Sequence, residues 1–431
     1  MNDSGEIFAA VRLILKRVLN KCYKGVNLPS VGKKFKRFLE KLIEGALMIS
    51  SSISSLTVLL IVLFLFREGF SLFNSSPIEN HNVLVVNKNN PVDKLNPAQI
   101  KDIFDQKITN WKALGGNDDT LLTFTINDVN NYFLEEEIGE NFEFLPAKID
   151  SLVANMPELL AVYPEKYIGK SFSGKKVSVD KNNIPDFILG KQWFPTADPA
   201  VQLGVLPLII GTLLVSFFAV LFALPVGLAA AVYLAEIADE RFRKILKPVI
   251  ELLAGIPSVV YGFFGLVVIV PMIHDLFKID VGETALAGSI VLAIMALPTI
   301  ITISEDAIRN TPRSMKEASL ALGANHWQTI RRVIIPYSMS GISAAAILGI
   351  GRAMGETMAV LMVTGNAAVI PHTLLQPVRT IPATIAAELG EAPYGGVHFK
   401  ALFALGCLLF LITMVINIWV QSINTKRKMN H

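Results

Sequence analysis

Six long apolar runs dominate this 431-residue sequence. A bilayer has a hydrocarbon core of about 30 Å, which a helix of about 20 mostly apolar residues crosses. The runs that qualify lie at roughly 45–66, 203–235, 250–273, 284–304, 339–365 and 401–421. Charged residues make up 17% of the chain, below the ~25% of ordinary soluble domains. The sequence therefore predicts an all-α polytopic membrane protein with six transmembrane helices.

The placement of lysine and arginine predicts which side of the membrane each segment faces. Basic residues are concentrated at both ends of the chain and in the loops that follow the second and fourth runs. Because short basic loops stay in the cytoplasm, both termini are expected there, and the number of spans is even. A buried helical core in a soluble protein does not explain this alternation.

The runs and the charges together predict the order of the regions along the chain. The regions are a basic cytoplasmic tail at 1–44, transmembrane helix 1 at 45–66, an extracytoplasmic insert at 67–200, a core of five transmembrane helices at 201–425 that contains a cytoplasmic loop at 305–338, and a basic cytoplasmic tail at 426–431. The insert has the length of a small soluble domain. A short apolar strand followed by an amphipathic helix around 98–104 predicts an α+β fold for it.

The chain lacks the residue patterns of a catalytic, cofactor or metal site. Residues 169–176 read GKSFSGKK, but Lys176 replaces the Ser or Thr that holds magnesium in a nucleotide-binding loop. Cys22 lies in a basic tail and Cys407 in an apolar run, so no disulfide framework is expected. The histidines are scattered singly, without metal-ligand spacing. The chain is therefore not expected to hydrolyse ATP, and a process that needs ATP hydrolysis would need a partner protein.

The cytoplasmic loop 305–338 contains the pattern of two short helices. Pro312 can begin the first, and Gly323 can end it in a left-handed conformation. Pro336 is expected to break the chain between the second short helix and the fifth transmembrane helix. The resulting compact hairpin would fit a cleft in a partner protein, although by shape alone an ordinary helical hairpin is the simpler interpretation.

The fifth run is apolar except for Arg352 and Glu356, which are four residues apart and so share one face of a helix. Charges at membrane depth are costly and usually functional. Two interpretations stay open: an ion pair that only fixes packing, or an anion path in which the Arg352 guanidinium binds the solute and Glu356 balances or gates it. Gly351 and Gly355 form a GxxxG pair, which predicts close approach of another helix.

The loop 305–338 also carries a family resemblance. The order Glu317, Ala318, Gly323 and Pro336 resembles the coupling-loop signature of ABC importer permeases, whose loop docks on a cytoplasmic ATPase. Ser319 takes the place of the more usual alanine, a change between small residues.

Three segments of the five-helix core make the resemblance more specific. GRAMGETMAVLMVTGN at 351–366, AGIPSVVYGFFGLVVIVP at 254–271 and LPLIIGTLLVSFFAVLFALPVGLAAAVYLAEIA at 206–238 resemble the PstC-type permeases of phosphate-specific ABC importers. The similarity covers about 200–425. PstA-type permeases share the coupling loop, but PSVVYG and GETMAV favour the PstC type.

The resemblance implies a type I ABC importer permease core in the bacterial inner membrane. It implies inorganic phosphate as solute and, as partners, a dissimilar PstA-type permease, a cytoplasmic ATPase dimer that binds ATP and magnesium, and an extracytoplasmic phosphate-binding protein. No nucleic acid is expected. Arg352 and Glu356 fall on the family's membrane-embedded charged pair. Glu283 is a weaker candidate, because a helix N-terminus by itself favours an acidic residue.

The insert departs from this family's pattern. Residues 83–116 resemble a segment of periplasmic phosphate-binding proteins, in which a Ser-Gly-Thr turn at a helix N-terminus then holds the phosphate. This chain has LLTFTINDVNNY at 121–132 instead. We expect the insert to be a half-domain without tight phosphate binding, which either docks the binding protein, senses its state, or is a passive spacer.

Three other functions stay open. A membrane-anchored phosphate sensor or signalling scaffold would use the insert, and a secondary transporter would need no ATPase. The third is a PstA-type permease, or an ABC permease for another oxyanion. The coupling signature argues against a secondary transporter.

Overall fold

The computed structural model describes residues 33–78, 82–139, 142–169 and 172–429. The chain divides into two units, Met1–Phe64 and Leu65–His431. Most of the predicted tail 1–44, including Cys22, lies outside the described residues, as do the end of the tail 426–431 and part of the stretch 169–176.

Within the described residues, six helices are long and apolar enough to cross a membrane, which confirms the predicted fold class. Their bounds are Lys41–Asn74, Leu206–Ile237, Ser258–Phe277, Ala285–Arg309, His326–Met354 and Val397–Ser422. The first belongs to helix α1, Lys33–Ser71, which continues as a 3-10 turn. Every other span follows the insert.

Between the first two spans, the described residues form seven strands and five α-helices, the last strand lying just after the insert. The strands are β1 Asn82–Val86, β2 Lys94–Leu95, β3 Leu122–Thr125, β4 Leu159–Pro164, β5 Lys175–Val179, β6 Trp193–Phe194 and β7 Gln202–Leu203, and the helices are α2 Pro97–Phe104, α3 Val129–Tyr132, α4 Glu135–Ile138, α5 Leu145–Asn155 and α6 Ile184–Leu189. Helix α2 agrees with the amphipathic helix predicted around 98–104.

Five of these strands form one mixed sheet in the order β2-β5-β1-β4-β3. Strand β1 is antiparallel to β4 and β5, and the outer strands β3 and β2 run parallel to their neighbours. Helix α2 packs on one face through Ile100 and Ile103, and α5 packs on the other through Ile149 and Val153. A sheet covered on both faces needs apolar side chains in both directions, which explains why β4 is buried along most of its length.

Strands β6 and β7 form a separate antiparallel ribbon at the end of the insert. Trp193 and Leu203 of this ribbon belong to the same apolar cluster as residues of the last core helices, such as Ile381 and Leu402. The insert is therefore joined to the core by a packed apolar contact as well as by the chain.

The core follows as a series of helices, several of them interrupted. They are α7 Leu206–Val232, α8 Glu240–Ala254, α9 Ser258–Phe264, α10 Val270–Phe277, α11 Ala285–Arg309, α12 Arg313–Ala321, α13 His326–Thr329, α14 Ile335–Met354, α15 Met358–Val363, α16 Ile381–Glu388 and α17 Val397–Met429. Single π-helical turns join α9 to α10 and α13 to α14.

Helix α11 is the most buried of the six apolar helices and packs against α7 and α14. Glycines allow these close contacts. A Cβ on Gly227 of α7 would meet Ile300, and one on Gly341 of α14 would meet Ala307. A larger side chain at either position would force the helices apart.

Two predicted boundaries are wrong. The run 250–273 is not one span, because α8 ends at Ala254 and α9 begins after Pro257, whose preceding residue disfavours helix. Conversely, Pro336 does not break the chain, because the helix runs on from His326 to Met354. The π turn Ile330–Ile334 just before Pro336 replaces the regular hydrogen-bond pattern with which the proline ring would clash.

Candidate functional site

Helix α14 ends within the apolar run, beside the two charged residues. Arg352 lies in its last turn, and the Gly355 amide closes the helix by donating to the Gly351 carbonyl over 3.2 Å. Glu356 and Thr357 are not helical, and α15 begins at Met358. The prediction of one continuous helix with both charges on one face is therefore wrong. Glycine weakens a helix at this point, a tendency that the apolar pattern hides.

The interruption itself indicates a cavity or a partner. In a bilayer, backbone without regular hydrogen bonds is tolerated only where it is buried in protein or lines water. In this chain Gly355 is exposed, and Glu356 and Thr357 are half-buried. The segment 355–357 therefore faces either a water-filled path or another subunit.

Arg352 has no carboxylate partner in the part of the chain that the structure describes; the ion pairs there involve other residues. Its Nη1 donates to the Thr299 hydroxyl on α11 over 3.3 Å. The ion pair between Arg352 and Glu356, one of the two interpretations, is not formed. The guanidinium retains donors that an anion could use.

The helix contact predicted at Gly351 and Gly355 is not made by another helix of the described chain. A Cβ on Gly351 would meet no atom within 4 Å, and one on Gly355 would approach only the Gly351 carbonyl, at 3.5 Å. The close contacts of α14 instead involve Gly341 and Gly349. The Gly351–Gly355 surface is thus open for something outside this chain.

Helices α12 and α13 form the predicted hairpin. Gly323 takes the left-handed conformation between them, with φ of +83°, and Asn325 caps α13 by accepting from the Gln328 amide. Glu317 and Ala318 are exposed on α12, and the Leu322 side chain at the tip is 89% exposed. The hairpin presents an apolar tip and an acidic flank.

Both short helices of the hairpin contact Glu236, which follows α7. The Glu236 carboxylate is 6% exposed and accepts from Lys316 of α12 over 2.5 Å, while its carbonyl lies 3.4 Å from His326 of α13. Ser319 lies 3.0 Å from the Thr329 hydroxyl and so joins the two short helices. These contacts join the hairpin to the end of α7.

A second ion-pair cluster, between α8 and the end of α11, was not predicted from the sequence. Lys247 of α8 donates to Glu305 over 2.7 Å and to Asp306 over 3.1 Å, and Arg309 also donates to Glu305. Burial lowers the pKa of Lys247, but these two carboxylates outweigh burial and raise it. The i,i+4 spacing of Glu305 and Arg309 can be read from the sequence, but the contact of Glu305 with Lys247 on α8 cannot.

In the insert, a carboxylate lies directly after strand β3. After β3, the Asp128 carboxylate accepts from the Thr125 amide over 2.9 Å and from the Thr125 hydroxyl over 2.7 Å. These donors are taken by a negative charge of the protein itself, which would repel a phosphate.

Comparisons with known proteins identify the core. Residues 223–429 match the family described as "Binding-protein-dependent transport system inner membrane component". "Probable ABC transporter permease protein YqgH" of Bacillus subtilis is 42% identical over 244 residues, which cover 56% of this chain and 78% of that protein. "Phosphate transport system permease protein PstC" of Mesorhizobium japonicum is 38% identical over 249 residues, 53% of this chain and 75% of that protein. The chain belongs to the family of PstC-type ABC transporter permeases. The permease is thus a transport subunit and a multi-pass inner-membrane protein that works with a binding protein and an ATPase.

The insert matches a different family. Residues 72–165 match the "PBP superfamily domain". Among solved structures, a putative phosphate ABC transporter substrate-binding protein from Clostridium perfringens is 30% identical, with a TM-score of 0.18, over 25% of this chain and 47% of that protein. The MetNI methionine ABC transporter is 21% identical, with a TM-score of 0.40, over 52% of this chain and 94% of the matched chain.

Proposed function

We propose that the permease forms half of the translocation path of an ATP-driven importer of inorganic phosphate. The observation that carries this proposal is Arg352, an arginine at the end of a transmembrane helix with no carboxylate partner in the described chain. A guanidinium binds tetrahedral oxyanions through paired N–H donors. The PstC proteins among the relatives are named for phosphate transport, which agrees with an anionic solute.

In this proposal Arg352 receives the anion and Glu356 controls its release. The two residues lie on either side of the helix end, so a rotation of α15 relative to α14 would change the separation of their charges. Like charges repel, so Glu356 near a bound phosphate would weaken its binding. The path would open toward the exposed Gly351–Gly355 surface, where a second, dissimilar permease of PstA type completes it.

The coupling part of the proposal assigns the hairpin to the ATPase dimer, which binds ATP and magnesium. Glu317, Ala318 and the turn at Gly323 form the docking surface, and the Lys316–Glu236 ion pair carries its movement to α7. Pro336 marks where the hairpin passes into the transmembrane helix. The orientation with both termini in the cytoplasm follows from the basic residues.

The partners can be tested by purification. When the tagged permease is extracted from its native membrane in mild detergent, an ABC ATPase and a second permease of different sequence are expected to co-purify in stoichiometric amounts. Mass spectrometry identifies them. A preparation that contains only copies of this chain would contradict the proposal.

The insert is proposed not to bind phosphate tightly, because Asp128 occupies the donors after β3. Calorimetric titration of the purified chain with phosphate is expected to give no binding in the micromolar range. The same titration on the Arg352→Gln variant removes any contribution of the transmembrane path. A micromolar dissociation constant that persists in this variant would assign a phosphate site to the insert.

A further inference from the structure

A buried polar network joins the insert to the permease core. At its centre is the carboxylate of Glu388, the last residue of α16. The indole N–H of Trp193, on strand β6 of the insert, donates to Glu388 Oε2 over 3.0 Å. Arg379 Nη1 donates to Oε1 over 2.5 Å, and His398 Nε2 lies 2.9 Å from Oε2. Trp193 thus meets Arg379 and His398 at the carboxylate of Glu388, a residue 195 positions away from it along the chain.

The network continues toward the transmembrane path. Arg379 Nε donates to the Asn366 side-chain oxygen over 2.9 Å and to the Asn366 carbonyl over 3.2 Å. Asn366 has a positive φ of 48° and follows Gly365, which is also left-handed. This strained turn comes directly after α15, the short helix that begins beside Glu356. Arg379 therefore fixes the far end of the segment whose near end carries the charged pair.

The backbone on both sides of this turn is also paired. The Val378 amide donates to the Thr364 carbonyl over 2.9 Å, and both residues are fully buried. Arg379 and Thr364 are thus held together by main-chain and side-chain contacts. A shift of Glu388 would move Arg379 and, with it, the end of α15.

Attachment of the insert alone does not require this network. Trp193 is 1% exposed and already packs in an apolar cluster with Val205, Leu208 and Ile381. Such burial holds two surfaces together without charge. A half-buried carboxylate and guanidinium cost desolvation energy, which apolar packing of the same volume would avoid. The network is therefore better explained by positioning than by adhesion.

We propose that Trp193 and Glu388 are positioning residues for transport, which couple the insert to the end of α15 and so to the path beside Arg352 and Glu356. The insert is then a part of the transport mechanism rather than a passive spacer. A binding protein that displaced the insert would change the position of α15 through this network. The inference rests on the proposed transport function.

The test uses the complete transporter and two tryptophan variants. Trp193→Phe removes the indole N–H at the junction. Trp111→Phe is the matched control, because Trp111 is also 1% exposed but donates to the Glu158 carbonyl inside the insert, over 2.8 Å. Hydrogen exchange is measured for the amides at 364–380, and phosphate uptake is measured in proteoliposomes.

Trp193→Phe is expected to accelerate exchange at 364–380 and to slow uptake, each by about fivefold, the factor that corresponds to one net hydrogen bond. Trp111→Phe should leave both unchanged. Glu388→Gln, which weakens the bond to Arg379 as well, should give larger effects in the same direction. If the transporter with Trp193→Phe fails to assemble, the exchange and uptake of the Glu388→Gln variant test the proposal instead.

Unchanged exchange at 364–380 in the junction variants would overturn the proposal, and so would equal effects of Trp111→Phe. The failure of the transport function is distinguishable, because wild-type proteoliposomes would then take up no phosphate while the exchange measurement would still report on the junction.

Discussion

Replacement of Arg352 by glutamine is expected to lower ATP-dependent phosphate uptake by roughly 100-fold, since charge-assisted hydrogen bonds contribute about 1.5–3 kcal/mol each and 1.4 kcal/mol is tenfold. Glutamine retains one donor group but loses the charge and the paired geometry. The side chain contacts only the Thr299 hydroxyl among the hydrogen bonds of the described chain, so folding should be little affected. Uptake of radiolabelled phosphate into proteoliposomes measures the effect.

Two controls separate charge from geometry and from assembly. Arg352→Lys keeps the charge without the planar donor pair and should fall between the wild type and Arg352→Gln. Gel filtration of the complex checks that each variant assembles. Uptake by Arg352→Gln within twofold of the wild type would remove Arg352 from the path. A pure phosphate sensor predicts a different outcome, in which Arg352→Gln leaves signalling intact.

Replacement of Glu317 by lysine is expected to abolish coupling between ATP hydrolysis and uptake. Glu317 is exposed on α12 and makes no ion pair within the described part of the chain, so its charge is available to the ATPase surface. A reversed charge in a docked interface costs several kcal/mol, which corresponds to a loss of uptake of roughly 100-fold. The number of ATP molecules hydrolysed per phosphate transported should rise accordingly.

The matched control reverses an exposed glutamate outside the hairpin. Glu240 on α8 is 77% exposed and lies 3.7 Å from Lys244, so its loss should cost little. Glu240→Lys is expected to transport phosphate within about twofold of the wild type, because exposed ion pairs contribute about 0–1 kcal/mol. Normal uptake by Glu317→Lys would contradict the docking of the hairpin.

The sequence predicted the membrane helices and the hairpin because both depend on local pattern. Apolar runs of about 20 residues need no knowledge of the fold to be read as spans. Gly323 is likewise a local signal, and it has the expected left-handed conformation at the turn. Strand β1 and helix α2, at the start of the insert, were also predicted from local sequence patterns.

The helix end at Gly355 was hidden by the same kind of pattern. Residues 339–365 stay apolar across the interruption, so hydropathy predicts one helix, and Pro336 looked like the stronger signal. In the structure the helix continues through Pro336, because a π turn accommodates the proline ring. The helix ends instead at Gly355.

The polar contacts that fix the site could not be predicted, because their members are far apart in sequence. Trp193 and Glu388 are separated by 195 positions, and Lys316 and Glu236 by 80. Each of these residues alone is consistent with an ordinary surface or interface position. Only the fold brings these residues together, and no local pattern in the sequence indicates that they are in contact.

The central claim is that the permease carries phosphate through the membrane in an ATP-driven complex. The most direct test is the uptake of radiolabelled phosphate by proteoliposomes that contain the purified wild-type complex, with the binding protein outside and ATP supplied to the ATPase. Phosphate is expected to accumulate only when ATP can be hydrolysed. No accumulation of phosphate, or accumulation that does not depend on ATP, would contradict the account.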